Sequence, residues 1–566
     1  MTERHVELVL FWHMHQPDYR DHVTGEFVLP WVYLHAIKDY CDMADHLERH
    51  PAIRAVVNFV PVLLDQIEDY ASQFERGEFR DPLLRMLADP QLERLDPEDR
   101  RYLLDTCFQA NHKTMLEPFP HYRRLHEIYG FVTREGEAGL NYLSPQYFAD
   151  LVTWYHLAWS GETERRREPL LTELMSRGEG YGVDERRRLL AWIGRTVRNV
   201  IPRYRALAAA GRIELSCTPD THPLGPLLLD FAVARESQPG APLPVATAYP
   251  GGRTRLDAHV SNGRGAHARR FGRPPVGMWP AEGAVSDAFV RQIGTHDCGW
   301  LASGEGVLRG SLAAARMDDH RAAYRPWRLA GCDKPVLFFR DERLSDLIGF
   351  DYAKWHGRDA AAHLVGELNG ILAGAEPDET PIVSIIMDGE NAWEHYPYNG
   401  FYFFEDFYGL LAEQTGVTTT TYADILSRKT EPPPSVLPRI QAGSWVFGTL
   451  STWIGEADKN RAWDLLCAAK QAYDTVMASG RLDENRRAIA EGQLAVCESS
   501  DWFWWFGDYN PAEAVSSFDR LFRRNLANLY RLLDLPAPVQ LATSISRGAG
   551  AGTGLSGTMR RATEGV

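Results

Sequence analysis

The feature that most constrains this chain is a series of short apolar runs, each stopped by polar, Gly or Pro punctuation. They cover residues 6–12, 55–60, 212–217, 276–279, 298–302, 336–339 and 382–387. Several are apolar at consecutive positions rather than alternate ones, as expected for parallel strands buried on both faces. Helical spacing fills the intervals, for example over 33–49, 286–293 and 360–372. Strands alternating with helices predict a parallel α/β sheet. Their spread along the chain suits a barrel with insertions better than a compact doubly wound sheet.

The longest interval, 63–210, is rich in Leu, Glu and Arg at helical spacing and reads as a mainly helical insertion beside the barrel mouth. The run Glu431-Pro432-Pro433-Pro434 marks a break, because consecutive prolines stop both helix and sheet. Past it, 460–477, 484–497 and 511–533 are amphipathic. The expected organisation is a barrel domain over 1–430, a helical domain over 431–535 that completes the cleft, and a disordered tail over 536–566, where the chain turns to Gly, Ala, Ser and Thr.

Charge and cysteine usage narrow the partners. With 61 Lys and Arg against 76 Asp and Glu, the net charge of −15 repels nucleic acid and anionic membrane surfaces. The basic runs at 165–167 and 186–188 read as solvated helix faces. None of the seven cysteines has Cys-x-x-Cys spacing, which argues against a disulfide scaffold, a zinc ribbon or a redox motif. No stretch approaches the roughly 20 apolar residues of a membrane helix, and the opening residues carry no signal-peptide pattern, so a soluble, cytoplasmic protein is expected. Oligomeric state is left open. Sixteen Trp residues hint weakly at a carbohydrate ligand, since aromatic faces stack on sugars but also fill cores.

Barrel enzymes place their chemistry at the carboxyl ends of strands. Glu282 and Asp388 each follow an apolar run directly. Two carboxyls facing one cleft can be driven to different pKa values, which glycosidic-bond cleavage requires; ordinary loop acids or helix caps would read the same way. His13 and His15, at i and i+2, point the same way on a strand that Pro17 ends. With Asp18, Asp220 and His222 they could compose a divalent metal site of a sugar hydrolase or deacetylase.

Four runs occur in order: His13-Met14-His15-Gln16-Pro17; Gly211-Arg212-Ile213-Glu214-Leu215 continuing to His222-Pro223; Gly277-Met278-Trp279-Pro280-Ala281-Glu282; and Met387-Asp388-Gly389-Glu390-Asn391-Ala392-Trp393-Glu394. Together they resemble the barrel motifs of glycoside hydrolase family 57, over about residues 6 to 535. The resemblance implies an incomplete (β/α)7 barrel followed by a helical bundle, with no cofactor and no required metal. It implies retaining chemistry on α-glucans, with Glu282 as nucleophile and Asp388 as general acid/base. It also implies that His13 and His15 hold the sugar beside the cleaved bond, and that Glu214 buttresses the site.

Gln16, His222 and Glu390 are further binding candidates. Trp279, Trp393 and Trp445 are stacking candidates that could equally be core. A fifth motif is expected among Gly443-Ser444-Trp445, Trp453-Ile454-Gly455 and Ser500-Asp501-Trp502, which adds Trp453, Asp501 and Trp502. The Trp502-to-Phe506 run could be a sugar-facing wall or a wedge between domains. The expected activity is hydrolysis of α-1,4 links, with α-1,6 links left open. Glucanotransfer or branching on the same carboxylates, the metal-dependent hydrolase and a non-catalytic glucan-binding protein are the alternatives.

Overall fold

The computed structural model describes residues 4–428 and 433–549. Its strands are β1 (Val6–Met14), β2 (Ala55–Phe59), β3 (Ile213–Cys217), β4 (Trp300–Gly304), β5 (Trp327–Leu329), β6 (Val336–Arg340), β7 (Ile382–Asp388), β8 (Val417–Thr420) and β9 (Ser435–Leu437). β3, β2, β1, β7 and β6 neighbour one another in parallel, and β4 flanks β6. The gap between β3 and β4 is closed by Met278, which bridges Cys217 and Leu301 in parallel. The ring therefore has seven staves, a (β/α)7 barrel.

The stave expected at 276–279 is reduced to one bridging residue, although its backbone is bonded on both sides: Met278 N–H to Trp300 O at 3.0 Å and Trp279 N–H to Cys217 O at 3.0 Å. Gly277 is required there, since a Cβ would lie 2.1 Å from the Trp300 ring. Pro280, without an N–H, ends the stave.

Alternation along β1 explains why its residues are apolar at nearly every position. Val9 and Phe11 face a barrel interior filled by Val56, Trp279, Trp300, Phe338 and Ile386. Leu8, Leu10, Trp12 and Met14 face the surrounding helices. Each such side chain contributes about 1.5–3 kcal/mol by burial, which no one-sided strand could match. β8 pairs Val6–Val9 of β1 below the point where β2 takes over at Phe11. Glu214 points into the barrel floor. There it accepts from Trp300 Nε1 and Ala423 N–H, both at 2.8 Å, and burial pushes its carboxyl up to about 7.

Helices occupy the interval between β2 and β3, ending in the 27-residue helix Val183–Ala209. Ahead of it, a helical segment from Trp31 to Arg49 passes through a π turn, Ala36–Tyr40. Among the described residues no helix is long and apolar enough to cross a membrane.

The expected break at 431–434 falls partly on 429–432, outside the described residues. Beyond it the chain stays on the barrel, because β9 pairs with β5 and Gly443 bridges Val285. Helices Ala457–Ser479, Glu484–Cys497 and Ala512–Leu532 match the three amphipathic segments. The last part of Glu484–Cys497 is locked onto barrel helix Gly252–Phe271 through the fully buried Glu498. Its carboxylate accepts from Arg255 (Nη2, 2.8 Å), His259 Nε2 (2.7 Å) and Tyr249 OH (2.5 Å).

Residues 536–549 differ from the expected disordered tail. They run back along Ala512–Leu532, burying Leu541 and Ile545, and Ile545 N–H donates to the buried Asp519 at 2.7 Å. The apolar anchors are only two, so Gly and Ser around them mask the segment in sequence. Residues 550–566 lie outside the described residues.

Candidate active site

The inward alternation of β1, Val9 then Phe11, continues to His13 at the barrel's carboxyl end. Strand register places His13 abreast of Asn58 on β2 and Asp388 on β7, with Asn58 abreast of Ser216 on β3. At this level the apolar filling of the barrel gives way to polar side chains. Asn58 Oδ1 lies 2.7 Å from His13 Nδ1 and accepts from Thr218 Oγ1, while its amide donates to Ser216. As an acceptor it fixes the His13 proton on Nδ1. Burial and the neighbouring His15 lower His13 to about 3, so the ring is neutral.

Three imidazoles form a stack. His15 and His222 lie 3.9 Å apart between centroids, and His13 lies 5.2 Å from His222. His222 occupies the left-handed region at φ 66°, strain that a non-glycine residue adopts rarely. Its Nδ1 lies 2.8 Å from Ser500 Oγ, and burial with two neighbouring histidines holds it well below the ordinary imidazole range. His15 Nε2 meets both Asp501 oxygens, at 2.9 and 3.0 Å.

Glu282 is also left-handed, at φ 58°, and is 1% exposed. Its Oε2 accepts from Trp445 Nε1 at 3.2 Å and its Oε1 from Ser500 Oγ at 3.1 Å; its backbone carbonyl receives Trp445 N–H. Burial, then the negative Asp501 and Asp388, push it up to about 8 against the pull of those two donors. Asp388, at the end of β7, is raised to about 6 chiefly by burial, while the Asn391 amide at 2.6 Å opposes the rise. The two carboxyls repel each other, so they titrate as a pair: a proton on Asp388 removes one of the charges that raise Glu282.

Glu390 is a support under the His15 loop. Its Oε1 accepts from His15 N–H (3.1 Å), Gln16 Nε2 (3.2 Å) and Tyr40 OH (3.2 Å), the tyrosine coming from the π turn. Gln16 is fully engaged, since its Oε1 also takes Tyr19 OH.

The sequence candidates therefore separate. His13, His15, His222, Glu282, Asp388, Trp445 and Asp501 come together. Trp279 lies beneath them, wholly buried, 5.2 Å edge-on from Trp445. Trp393, Trp453 and Trp502 are core residues with no open face for a sugar. Trp393 packs on Trp12 and Phe404, Trp453 on Trp504, and Trp502 on Phe518 and Phe522.

The metal set built on Asp18 and Asp220 does not assemble. Asp18 is taken by Arg20 and His22, and Asp220 turns to Asn262. A different trio could hold an ion: His15, His222 and Asp501 offer one donor atom each, all within 4.8 Å of one another. Ser500, Asn58, Asn391 and Tyr40 were not singled out from sequence. Ser500 sits beside a named Asp, but small polar residues carry no signal until their partners are placed.

A glycosyl hydrolase family 57 model matches residues 9–438. No curated protein matches the chain. Among solved structures, the chain is similar to the GH57 branching enzyme TK1436 from Thermococcus kodakaraensis (TM-score 0.58, 16% identity, covering 95% of this chain and 93% of that one). It is also similar to a GH57-type branching enzyme from Pyrococcus horikoshii (0.56, 15%, 99% of each) and to the α-amylase AmyC from Thermotoga maritima (0.55, 13%, 94% and 93%). With the family match spanning most of its length, the chain belongs to glycosyl hydrolase family 57 and is an enzyme of glycosidic-bond chemistry.

Proposed function

We propose that the protein is a retaining enzyme that cleaves α-1,4 links of α-glucans, with α-1,6 links as a further target. Glu282 acts as nucleophile and Asp388 as general acid/base. The observation that carries the assignment is the unequal setting of two mutually repelling carboxyls. Glu282 receives a donor on each oxygen, which favours its anion, whereas Asp388 receives a single amide. Because burial still leaves Glu282 at about 8 and Asp388 at about 6, the reacting form is the minor one of the coupled pair, with Glu282 ionised and Asp388 holding the proton.

In the first step the Glu282 carboxylate bonds to the anomeric carbon while Asp388 passes its proton to the departing glycosidic oxygen. In the second, Asp388 takes a proton from water, whose oxygen displaces Glu282 and frees the sugar. The neutral His13 ring, protonated on Nδ1, offers its Nε2 lone pair to a sugar hydroxyl. Trp445, partly exposed and anchored through its indole N–H, supplies one wall of the cleft. The helical part that carries Trp445, Ser500 and Asp501 completes the cleft over the barrel. Seven free cysteines fit a reducing, cytoplasmic compartment.

A transferase, using a sugar hydroxyl in place of water, is the second reading, favoured by the burial of Glu282, which limits water at the intermediate. Product analysis with maltoheptaose in the presence of chelator tests both. Shorter sugars with a matching rise in reducing ends are expected. A ladder of longer and shorter sugars at constant reducing ends would establish transfer, and no change would overturn the proposal.

A further inference from the structure

The donor trio noted above sits inside the cleft, and hydrogen-bond bookkeeping shows which of its atoms are free. Ser500 has one hydroxyl proton and two neighbours, Glu282 Oε1 at 3.1 Å and His222 Nδ1 at 2.8 Å. In the ionised form that the proposed mechanism uses, Glu282 can only accept, so Ser500 donates to it and in turn accepts from His222 Nδ1–H. The lone pair of His222 is thereby fixed on Nε2, a buried atom with no partner. At the other end, His15 Nε2 faces both oxygens of Asp501 with a single proton between them.

Two imidazole nitrogens and one carboxylate are the donor set of a zinc-class ion with an open fourth position. Donors bound at 2.0–2.2 Å to a tetrahedral ion lie roughly 3.3 Å apart. The His15–Asp501 pair at 2.9 Å needs only a small opening for an ion to take the place of the bridging proton, with His15 remaining a neutral imidazole that carries its one proton on Nδ1. Outer partners are in place for two of the three ligands, Ser499 Oγ on Asp501 and Ser500 Oγ on His222, while His15 Nδ1 is buried without one. His13 is excluded as a ligand through Nδ1, which is committed to Asn58.

We propose that His15, His222 and Asp501 form a binding site for a divalent transition ion of the zinc class, and that occupation of the site inhibits the enzyme. The inhibitory half rests on the function proposed above, because the ion would occupy the histidines that face the sugar and place positive charge beside Glu282. The binding half rests on the donor set alone.

The test uses untagged, chelator-stripped full-length protein. Zinc binding is measured by calorimetry and Co2+ binding by its visible absorption, with maltoheptaose turnover followed in parallel. One tight equivalent of zinc is expected, with turnover falling at the same zinc concentration that fills the site. His222→Ala should abolish the cobalt band, and Ser499→Ala, which leaves all three ligands, should weaken binding about 10–100-fold. Circular dichroism checks that both variants are folded. Absence of a stoichiometric site in the wild type, binding unchanged in both variants, or turnover raised by zinc would overturn the proposal. Zinc binding by a chain that processes no glucan would support the site and overturn the function it was set against.

Discussion

The two walls of the cleft are built differently. On the Asp388 side every support comes from the barrel and its first helices: Asn391 holds Asp388, while Gln16, Tyr40 and the His15 backbone hold Glu390. On the Glu282 side both donors to the carboxylate, Trp445 and Ser500, come from beyond the last barrel strand. On the proposed roles, the barrel alone can set the acid/base Asp388 but cannot set the nucleophile Glu282 until the carboxyl-terminal part is docked.

The largest effects should come from the carboxyls themselves. Asp388→Asn is expected to lower kcat on maltoheptaose by about 10²–10⁴-fold, the usual scale of general acid/base catalysis. Glu282→Gln should remove turnover altogether while glucan binding, followed by calorimetry, persists; residual activity above that of Asp388→Asn would reverse the two roles.

Next, the docking itself can be loosened far from the cleft. Arg255→Ala leaves Glu498 buried without its guanidinium and is expected to cost about 3–5 kcal/mol of stability in urea unfolding. Arg255 holds Glu498 well below the usual carboxylate range. Its stabilisation is present above the unfolded carboxylate pKa and lost as pH falls, so wild type and variant should converge in acid.

Subtler are the donors on each wall. Ser500→Ala should reduce kcat about 10–100-fold, the worth of a hydrogen bond to a charged group, and move the acid limb of the rate profile to higher pH as Glu282 becomes harder to ionise. Asn391→Ala should instead extend the alkaline limb, because Asp388 then keeps its proton to higher pH. Equal displacement of both limbs by both variants would erase the contrast between the walls.

The last expected effect is a gain in stability rather than a loss of activity. Glu282 and Asp388 are raised to about 8 and 6, above their unfolded values, so their favourable contribution is present at low pH and lost as pH rises through those values. Above pH 8 the wild type should therefore melt below Glu282→Gln, with the two converging near pH 4.

Legibility in the sequence followed the same division. The staves could be read because burial on both faces forces apolar residues at consecutive positions, and the two acids proposed as the catalytic pair drew notice because each lies just past such a run. The stave at Met278 was legible as a run although one residue carries its pairing. Trp393 and Trp502 could not be sorted, since an indole satisfies a core and a sugar equally well until its neighbours are known. Asp18 looked available beside the histidines, but Arg20, two residues on, captures it. β8, with Val417-Thr418-Thr419-Thr420, lacks an apolar run because it completes only the lower half of β1.

The bond between His15 and Asp501 joins residues 486 positions apart. On a ribosome adding about 5–20 residues per second, that interval is roughly 25–100 s. In its last part, once β7 has been made, the barrel can close and Asp388 can take its place, yet Glu282 still lacks the serine that holds it. The nascent chain therefore carries an unarmed cleft, and on the proposed roles the separation along the polypeptide works as a timer that withholds glycosidic chemistry until Trp445 and Ser500 have followed the barrel.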